Sequence, residues 1–275
     1  MYENQSFIIT IPTYRRSQFM LDEKGTIIYL NKFLLGRTVL CCRIEEIKEY
    51  TKVKEYYCTN HEYFKNISNI VETRDRILEY SYNTILDINN KSVPLKYLIM
   101  LDDDIKFAYR PGYSNIYKDM TKTIFEEMIK EMLLQCDGEH PIVGILPRQF
   151  SNNFKTHHIE NHRIIQVYCF YLPVIKKTGI HFCDAGFPYM TDYYFILKMM
   201  QLGYKNLVLC KYTKDDTRNT DGGCFVDRTV DKLNKSAMGL YKTFPELITL
   251  NWKRDKILGK YLNPRIAWKK AYKER

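Results

Sequence analysis

The sequence predicts an α/β protein built on a mainly parallel sheet flanked by helices. Three observations carry that expectation. Tyr97-Leu98-Ile99-Met100-Leu101 is uniformly apolar, as a strand covered on both faces must be. Phe7-Ile8-Ile9-Thr10-Ile11, stopped by Pro12, reads as a second buried strand. Around these runs, segments with helical spacing alternate with further short apolar stretches, the pattern of strand-helix-strand units.

Taken in order, the loop Thr13-Tyr14-Arg15-Arg16 follows the first strand, and residues 22–35 have helical spacing. Residues 37–44 read as a strand and 45–52 as a polar helix or turn. Thr73 is expected to cap a helix, with Asp75 in its first turn and Ile77, Leu78 and Tyr80 beyond. Residues 117–135 form an amphipathic helix, and 142–146 and 164–172 further strands. A helix over 192–202, stopped by Gly203, leads to a strand over 206–210. Antiparallel strands are expected in the second half.

At 275 residues and 45% apolar, the chain is large enough for one well-packed domain, here residues 1–250, followed by a distinct segment, 251–275. Tyrosine supplies 23 of the 39 aromatic residues. A biased genome or core lining explains that most simply, and a surface that stacks on sugars or bases is the functional alternative. No stretch has the ~18 consecutive apolar residues of a membrane span, and Met1-Tyr2-Glu3-Asn4-Gln5 does not open a signal peptide. The eight scattered cysteines lack CxxC spacing and read as buried free thiols. A cytoplasmic protein is expected, with the sequons at Asn66 and Asn90 idle.

The net charge is +10, and +7 of it lies between Lys253 and Arg275, where nine Lys/Arg face Asp255 and Glu274. Trp252, Tyr261, Trp268 and Tyr272 are interleaved with those cations. Such a segment is either a solubilising tail or an electrostatic handle for a polyanion.

Asp102-Asp103-Asp104 follows the clearest strand directly. In open α/β sheets ligands bind beyond the carboxyl ends of the strands. Three adjacent carboxylates repel one another unless a cation offsets them, and Mg²⁺ or Mn²⁺ takes oxygen ligands and bridges to nucleotide phosphates. In an extended segment Asp102 and Asp104 face one site while Asp103 faces elsewhere. A solvated acidic loop, a two-metal nuclease and a nucleotidyltransferase fit the triplet as well.

The company of the triplet favours one of these. FIITIPTYRR resembles the first strand and nucleotide-base loop of GT-A fold glycosyltransferases, and LDDDI resembles their DxD motif. ETRDRILEYS resembles the helix whose leading Arg reaches the diphosphate, and DAGFPYMTDYYFILKMMQLGYKN the acceptor-side segment. More narrowly, IPTYRR, the Arg-bearing helix, LDDDI and the late Gly-Gly resemble phage-encoded TET/JBP-associated glycosyltransferases, which decorate hydroxymethylated pyrimidines in DNA.

The resemblance implies a GT-A-like, Rossmann-like fold with a donor half over about residues 1–115 and an acceptor half over about 116–250. It also implies a nucleotide-sugar donor, Mn²⁺ or Mg²⁺ at Asp102 and Asp104, and hydroxymethylated DNA as acceptor. Pro12, Thr13, Tyr14 and Arg15 would line the base and phosphates, Arg74 the diphosphate, and Asp102, Asp103, Gly222 and Gly223 the rest of the donor. Asp192 would be the catalytic base. The chain departs from the pattern in its last histidine, His181, which precedes Asp192, so Asp215, Asp216 or Asp221 is left to complete the metal site.

Plainer roles exist for several of these residues. Arg74 and Arg76 can pair with Glu72 and Glu79 on a helix surface. Asp192 can serve as an N-cap. Gly222-Gly223 reads as a turn, with a flap over the donor as the alternative. His157, His158 and His162 read as surface histidines.

Overall fold

The computed structural model of the protein describes residues 4–65, 70–216, 222–223 and 227–274. The elements run β1 (Phe7–Pro12), α1 (Ser17–Leu21), α2 (Lys32–Gly36), β2 (Thr38–Arg43), α3 (Ile47–Tyr57), β3 (Asn60–Phe64), α4 (Ile70–Asn83), β4 (Ile85–Ile88) and β5 (Lys91–Pro94). Next come β6 (Tyr97–Leu101), β7 (Ile105–Tyr109), β8 (Lys118–Asp119), α5 (Lys122–Gln135), β9 (Ile142–Pro147), α6 (Arg148–Ser151), β10 (His158–Glu160) and β11 (Val167–Tyr171). The chain continues with α7 (Leu172–Thr178), α8 (Thr191–Gln201), β12 (Asn206–Asp216), α9 (Val230–Thr243), β13 (Ile248–Asp255), β14 (Gly259–Ile266) and α10 (Trp268–Ala271).

The central sheet has the order β3-β2-β1-β6-β11-β9-β12-β7-β8, with β10 beside β12. β3, β2, β1 and β6 are parallel, and β11 runs against both β6 and β9. β12 returns parallel to β9, while β7 and β8 add antiparallel pairs at the far edge. The expected architecture is the observed one.

Successive strand residues feed two hydrophobic clusters, one on each face. Ile8, Leu98, Met100 and Phe170 pack with Ile77 and Leu78 of α4 and with Phe195 and Leu197 of α8. Phe7, Ile9, Ile99 and Leu101 pack with Tyr50 of α3 and with Phe125, Met128 and Met132 of α5. Burying one such side chain stabilises by roughly 1.5–3 kcal/mol, which explains the unbroken apolar run of β6.

Four boundaries differ from the sequence expectation, each for a local reason. The helix expected over 22–35 is broken at Gly25, whose φ is +77°, and α2 restarts where Asn31 accepts a hydrogen bond from the Leu34 amide. Thr73 does not cap α4, because the helix already runs from Ile70. Residues 117–121 precede α5, which Thr121 caps by accepting from the Ile124 amide. Asp192 is not a cap either. Met190 holds that place in a left-handed conformation, and Asp192 lies in the first turn of α8.

The long helix α9 and the β13–β14 hairpin went unread in the sequence. The hairpin forms a two-stranded sheet of its own, paired from Ile248–Ile266 out to Asp255–Gly259. Its base joins the core through Ile248, and the Leu262 amide donates to Asn234 of α9 at 2.7 Å. Among the described residues the free cysteines are 41, 42, 58, 136, 169, 183 and 210. Cys58 and Cys183 are exposed, contrary to the expectation of burial. No described helix is long and apolar enough to cross a membrane.

Candidate active site

β1 lies between β2 and β6, and the chain crosses the sheet in opposite directions from it, first to β2 and later to β6. Such a switch point opens a crevice at the strands' carboxyl ends. The register Thr10–Met100 brings those ends level, so Thr13–Arg16 from β1 faces Asp102–Asp104 from β6.

The triplet is a tight connection to β7, not an extended segment, and its three carboxylates have three environments. Asp103 is 5% exposed. Its Oδ2 accepts from Thr13 Oγ1 at 2.7 Å and its Oδ1 from Arg16 Nη1 at 3.0 Å. Asp104 pairs through Oδ2 with the same Arg16 nitrogen at 2.6 Å, and Asp102 pairs with Arg74 Nη2 at 3.2 Å. Asp102 and Asp104 keep more side-chain exposure than Asp103. Burial pushes the Asp103 carboxyl up to about 7, with Asp104 and Asp102 adding to the rise while Arg16 and Thr13 oppose it. Burial also raises Asp102, against the pull of Arg74 and Lys214.

The backbone of the triplet is clasped from the other side. The Thr26 amide donates to the Asp103 carbonyl at 3.0 Å, and Thr26 Oγ1 donates to the Asp102 carbonyl. A Cβ on Gly25 would lie 2.2 Å from the Asp103 carbonyl oxygen, so only glycine allows this approach.

Arg15, the sequence candidate for the phosphates, is exposed. Its amide donates to Glu46 Oε1 at 2.7 Å and its guanidinium lies 5.0 Å from the Tyr14 ring centre. Arg16 meets the carboxylates instead. A positive φ at Arg15 (55°) turns the two neighbouring side chains apart, which the pair of arginines in the sequence did not reveal. Pro12 is buried at the end of β1. Tyr14 is half-buried with the Arg43 guanidinium 3.7 Å from its ring centre, a flat surface on which a base can stack.

Gly222 and Gly223 are packed onto this loop. The Gly223 amide donates to the Tyr14 carbonyl at 2.9 Å, and Arg16 Nη2 donates to the Gly222 carbonyl at 3.1 Å. A Cβ on Gly222 would come within 2.8 Å of the Tyr14 and Arg15 carbonyls, a contact backbone cannot relieve. Close approach, not looseness, explains this glycine pair.

Tyr50, unmarked in the sequence, and Asp75, read there only as a first-turn acid, also help build the site. The Tyr50 hydroxyl bonds Thr13 Oγ1 at 2.7 Å and accepts from the Arg16 amide at 3.1 Å. Asp75 accepts from the amides of Phe182 and Cys183, at 2.7 and 2.8 Å. It thereby ties α4, which carries Arg74, to the segment preceding α8. Asp192 is half-buried in the first turn of α8. Beside it, Tyr193 packs edge-on against Trp268 of α10 at 5.7 Å.

Arg74 is buried while Arg76 is exposed and pairs with Glu79 at 3.1 Å. The sequence resemblance implies that Arg74 contacts a donor diphosphate; a charged hydrogen bond of that kind is worth ~1.5–3 kcal/mol, so on that expectation Arg74→Ala should raise the donor Kd roughly ten- to a hundredfold. Arg76→Ala should change it by less than about twofold. Equal effects in a titration with UDP would remove the specific role of Arg74.

His61, whose ring lies 6.4 Å from that of Tyr50, has a buried Nε2 without a hydrogen-bond partner, and burial lowers its pKa to about 4. The folded protein therefore holds it neutral where the unfolded chain, near 6.5, binds a proton. Stability from this group is present above pH 6.5 and lost as pH falls toward 4. His61→Phe should flatten the acid limb of a Tm-against-pH curve. His162, also lowered by burial and so no plain surface histidine, should preserve part of the slope.

Two carboxylates of one turn suit a hard divalent ion, which commonly takes one or two protein carboxylates and completes its shell with substrate phosphates and water. Asp102 and Asp104 have the oxygen chemistry such an ion takes, and in this structure each is paired with an arginine, Asp102 with Arg74 and Asp104 with Arg16. Asp215 is engaged by Arg148 at 3.4 Å, and the Asp216 side chain and Asp221 lie outside the described residues. Three ligand side chains converge, among the described residues, at Glu139, His140 and Glu160, at the opposite end of the sheet. Lys205 already pairs there with Glu139 at 3.1 Å and Glu160 at 3.3 Å.

No protein-family model matches the sequence, and no curated protein matches it. Among solved structures the chain is similar to a mycobacterial protein, with a TM-score of 0.52, 8% identity, and coverage of 96% of this chain and 84% of that one. It is also similar to residues 1–349 of S. aureus TarS, at TM-score 0.49 and 11% identity over 86% of this chain and 66% of that one. GalNAc-T7 with UDP, GalNAc and Mn²⁺ gives 0.41 and 13% over 77% and 44%. Identities this low bear on fold alone, and the chain spans just under two thirds of the TarS fragment. What these likenesses bear on is a mixed α/β fold with a large, mainly parallel central sheet flanked by helices, which here carries the acidic turn at its switch point.

Proposed function

We propose that the protein transfers a sugar from a nucleotide-sugar, a UDP-sugar in this reading, to a hydroxyl acceptor. The observation that carries it is the acidic turn at the switch point, with Arg74 and the Thr13–Arg16 loop converging on it. Residues up to about 115 bind the donor and about 116–250 the acceptor. Tyr14 and Arg43 stack the base, and Arg74 donates to the diphosphate and holds it in line. Asp102 and Asp104 would hold Mn²⁺ or Mg²⁺, which as a Lewis acid offsets charge on the leaving diphosphate. Asp192 takes the acceptor proton as general base in an inverting transfer.

The acceptor in this reading is the hydroxymethyl group of a pyrimidine in DNA, swung out of the stack to reach the crevice. Support comes from the resemblance of IPTYRR, ETRDRILEYS, LDDDI and Gly222-Gly223 to the phage DNA glycosyltransferases and from the basic C-terminal segment. A phage-encoded enzyme of this kind would work in the host cytoplasm. The test is incubation with a nucleotide-sugar panel, Mn²⁺, and hydroxymethylated or plain DNA, followed by nucleoside mass spectrometry. A hexose or pentose mass added to hydroxymethylpyrimidine is expected. Metal-dependent UDP release without DNA modification would keep the transferase and reject the acceptor. No UDP release from any donor would reject both.

A further inference from the structure

The outer half of the β13–β14 hairpin is an odd piece of protein surface. Its base is anchored in the core, yet from Trp252–Leu262 outward the pairs extend beyond the packed face. Lys253, Arg254, Lys256 and Lys260 are all exposed. Among them stand two large apolar side chains, Trp252 at 59% exposure and Ile257 at 67%.

The tip is shaped, not slack. Asp255 Oδ1 accepts from the amides of Ile257 at 2.9 Å and Leu258 at 3.1 Å, so the one acid near the tip is used in the turn. Lys260 lies 4.8 Å from the Trp252 ring centre, holding a cation on the indole face. At its other end the same segment packs on α8, the helix that carries Asp192. Trp268 packs on Tyr193, next to Asp192, and the Lys273 amide donates to the Met200 carbonyl at 3.1 Å.

We infer that the outer β13–β14 ribbon is a nucleic-acid docking element that grips a DNA strand flanking the base held at Asp192. This deepens the DNA-acceptor reading and rests on it. A two-stranded antiparallel ribbon is narrow enough to enter the major groove, which is about 12 Å wide. Four cations in nine residues match the phosphate rows on either side, and Trp252 offers a face on which an unstacked base can lie. The docking tolerates sequence, since its groups address phosphates and stacking faces rather than base edges.

The experiment uses the full chain and a short labelled duplex of plain DNA across a salt series. Wild type should bind, with log affinity falling linearly in log salt by about 0.9 per phosphate contact. The variant carrying Lys253→Glu, Arg254→Glu, Lys256→Glu and Lys260→Glu should lose at least about tenfold in affinity at low salt and flatten that slope by roughly two to four. Trp252→Ala should weaken binding several-fold without moving the slope. Both variants, altered at exposed positions, should melt like wild type and release UDP from the donor at the wild-type rate. A wild type that ignores duplex, a charge-reversed variant that binds like wild type, or binding confined to phosphatidylserine vesicles overturns the docking role. UDP release with no duplex binding leaves the transferase standing. Ribbon-dependent duplex binding with no UDP release supports the ribbon and rejects the donor reading.

Discussion

Asp103→Ala is expected to destabilise the protein by about 3–5 kcal/mol, a fall in Tm on the order of 10 °C, although no part of the donor need touch that residue. Asp103 is a buried acid whose two oxygens are taken by Thr13 and Arg16. Its removal leaves the nearly buried Arg16 guanidinium with Asp104 as its remaining carboxylate contact and frees the loop that lines the crevice. Asp103→Asn, which keeps an acceptor but loses the charge, should fall between. Chemical denaturation of both variants, with Arg16→Met alone and combined with Asp103→Ala, tests the pairing. Additive losses in that cycle would show that the two residues do not act together.

Asp104→Ala should do the reverse, costing little stability and most of the activity, while Asp102→Ala should cost the activity and, by removing a carboxylate partner of buried Arg74, some stability as well. Asp104 shares Arg16 with Asp103, so its loss relieves repulsion and leaves one ion pair intact. Loss of charge stabilisation on the departing diphosphate amounts to several kcal/mol, so transfer should drop by at least about a thousandfold. EDTA should reproduce that loss in wild type, and Mn²⁺ or Mg²⁺ should reverse it. Full transfer in EDTA would end the metal assignment.

This division of labour within one triplet was half legible in the sequence. Alternation predicted Asp102 and Asp104 on one side and Asp103 on another, but the segment is a turn: Asp103 and Asp104 converge on Arg16 from the β1 loop, and Asp102 pairs with Arg74. The strands were readable because residues 97–101 are apolar without interruption and residues 7–11 are apolar but for Thr10, which full burial demands. Arg16 was not, since the choice between two adjacent arginines depends on the sign of φ at Arg15. The site roles of Tyr50 and Asp75 were hidden for another reason. Each acts across 34 or more positions of chain, and no local pattern marks such a contact. The hairpin over 248–266 escaped because its strands carry charge where a covered strand would carry apolar residues.

The sheet order also sets a sequence of assembly. β1 pairs with β2 some thirty residues on, and β2 with β3 soon after, so that edge can zip early. β7 begins directly after Asp104, but the long strand beside it is β12, whose Asp216 pairs with Ile105. The chain must therefore close a loop of about a hundred residues before the downstream side of the acidic turn is fixed, and such closures come late and slowly. On the ribosome, the turn cannot be completed until β12 has emerged. A nascent chain short of that point carries the three aspartates with their upstream partners Thr13, Arg16, Thr26 and Arg74 but without the strand beside β7, so the downstream edge of the site matures late in folding.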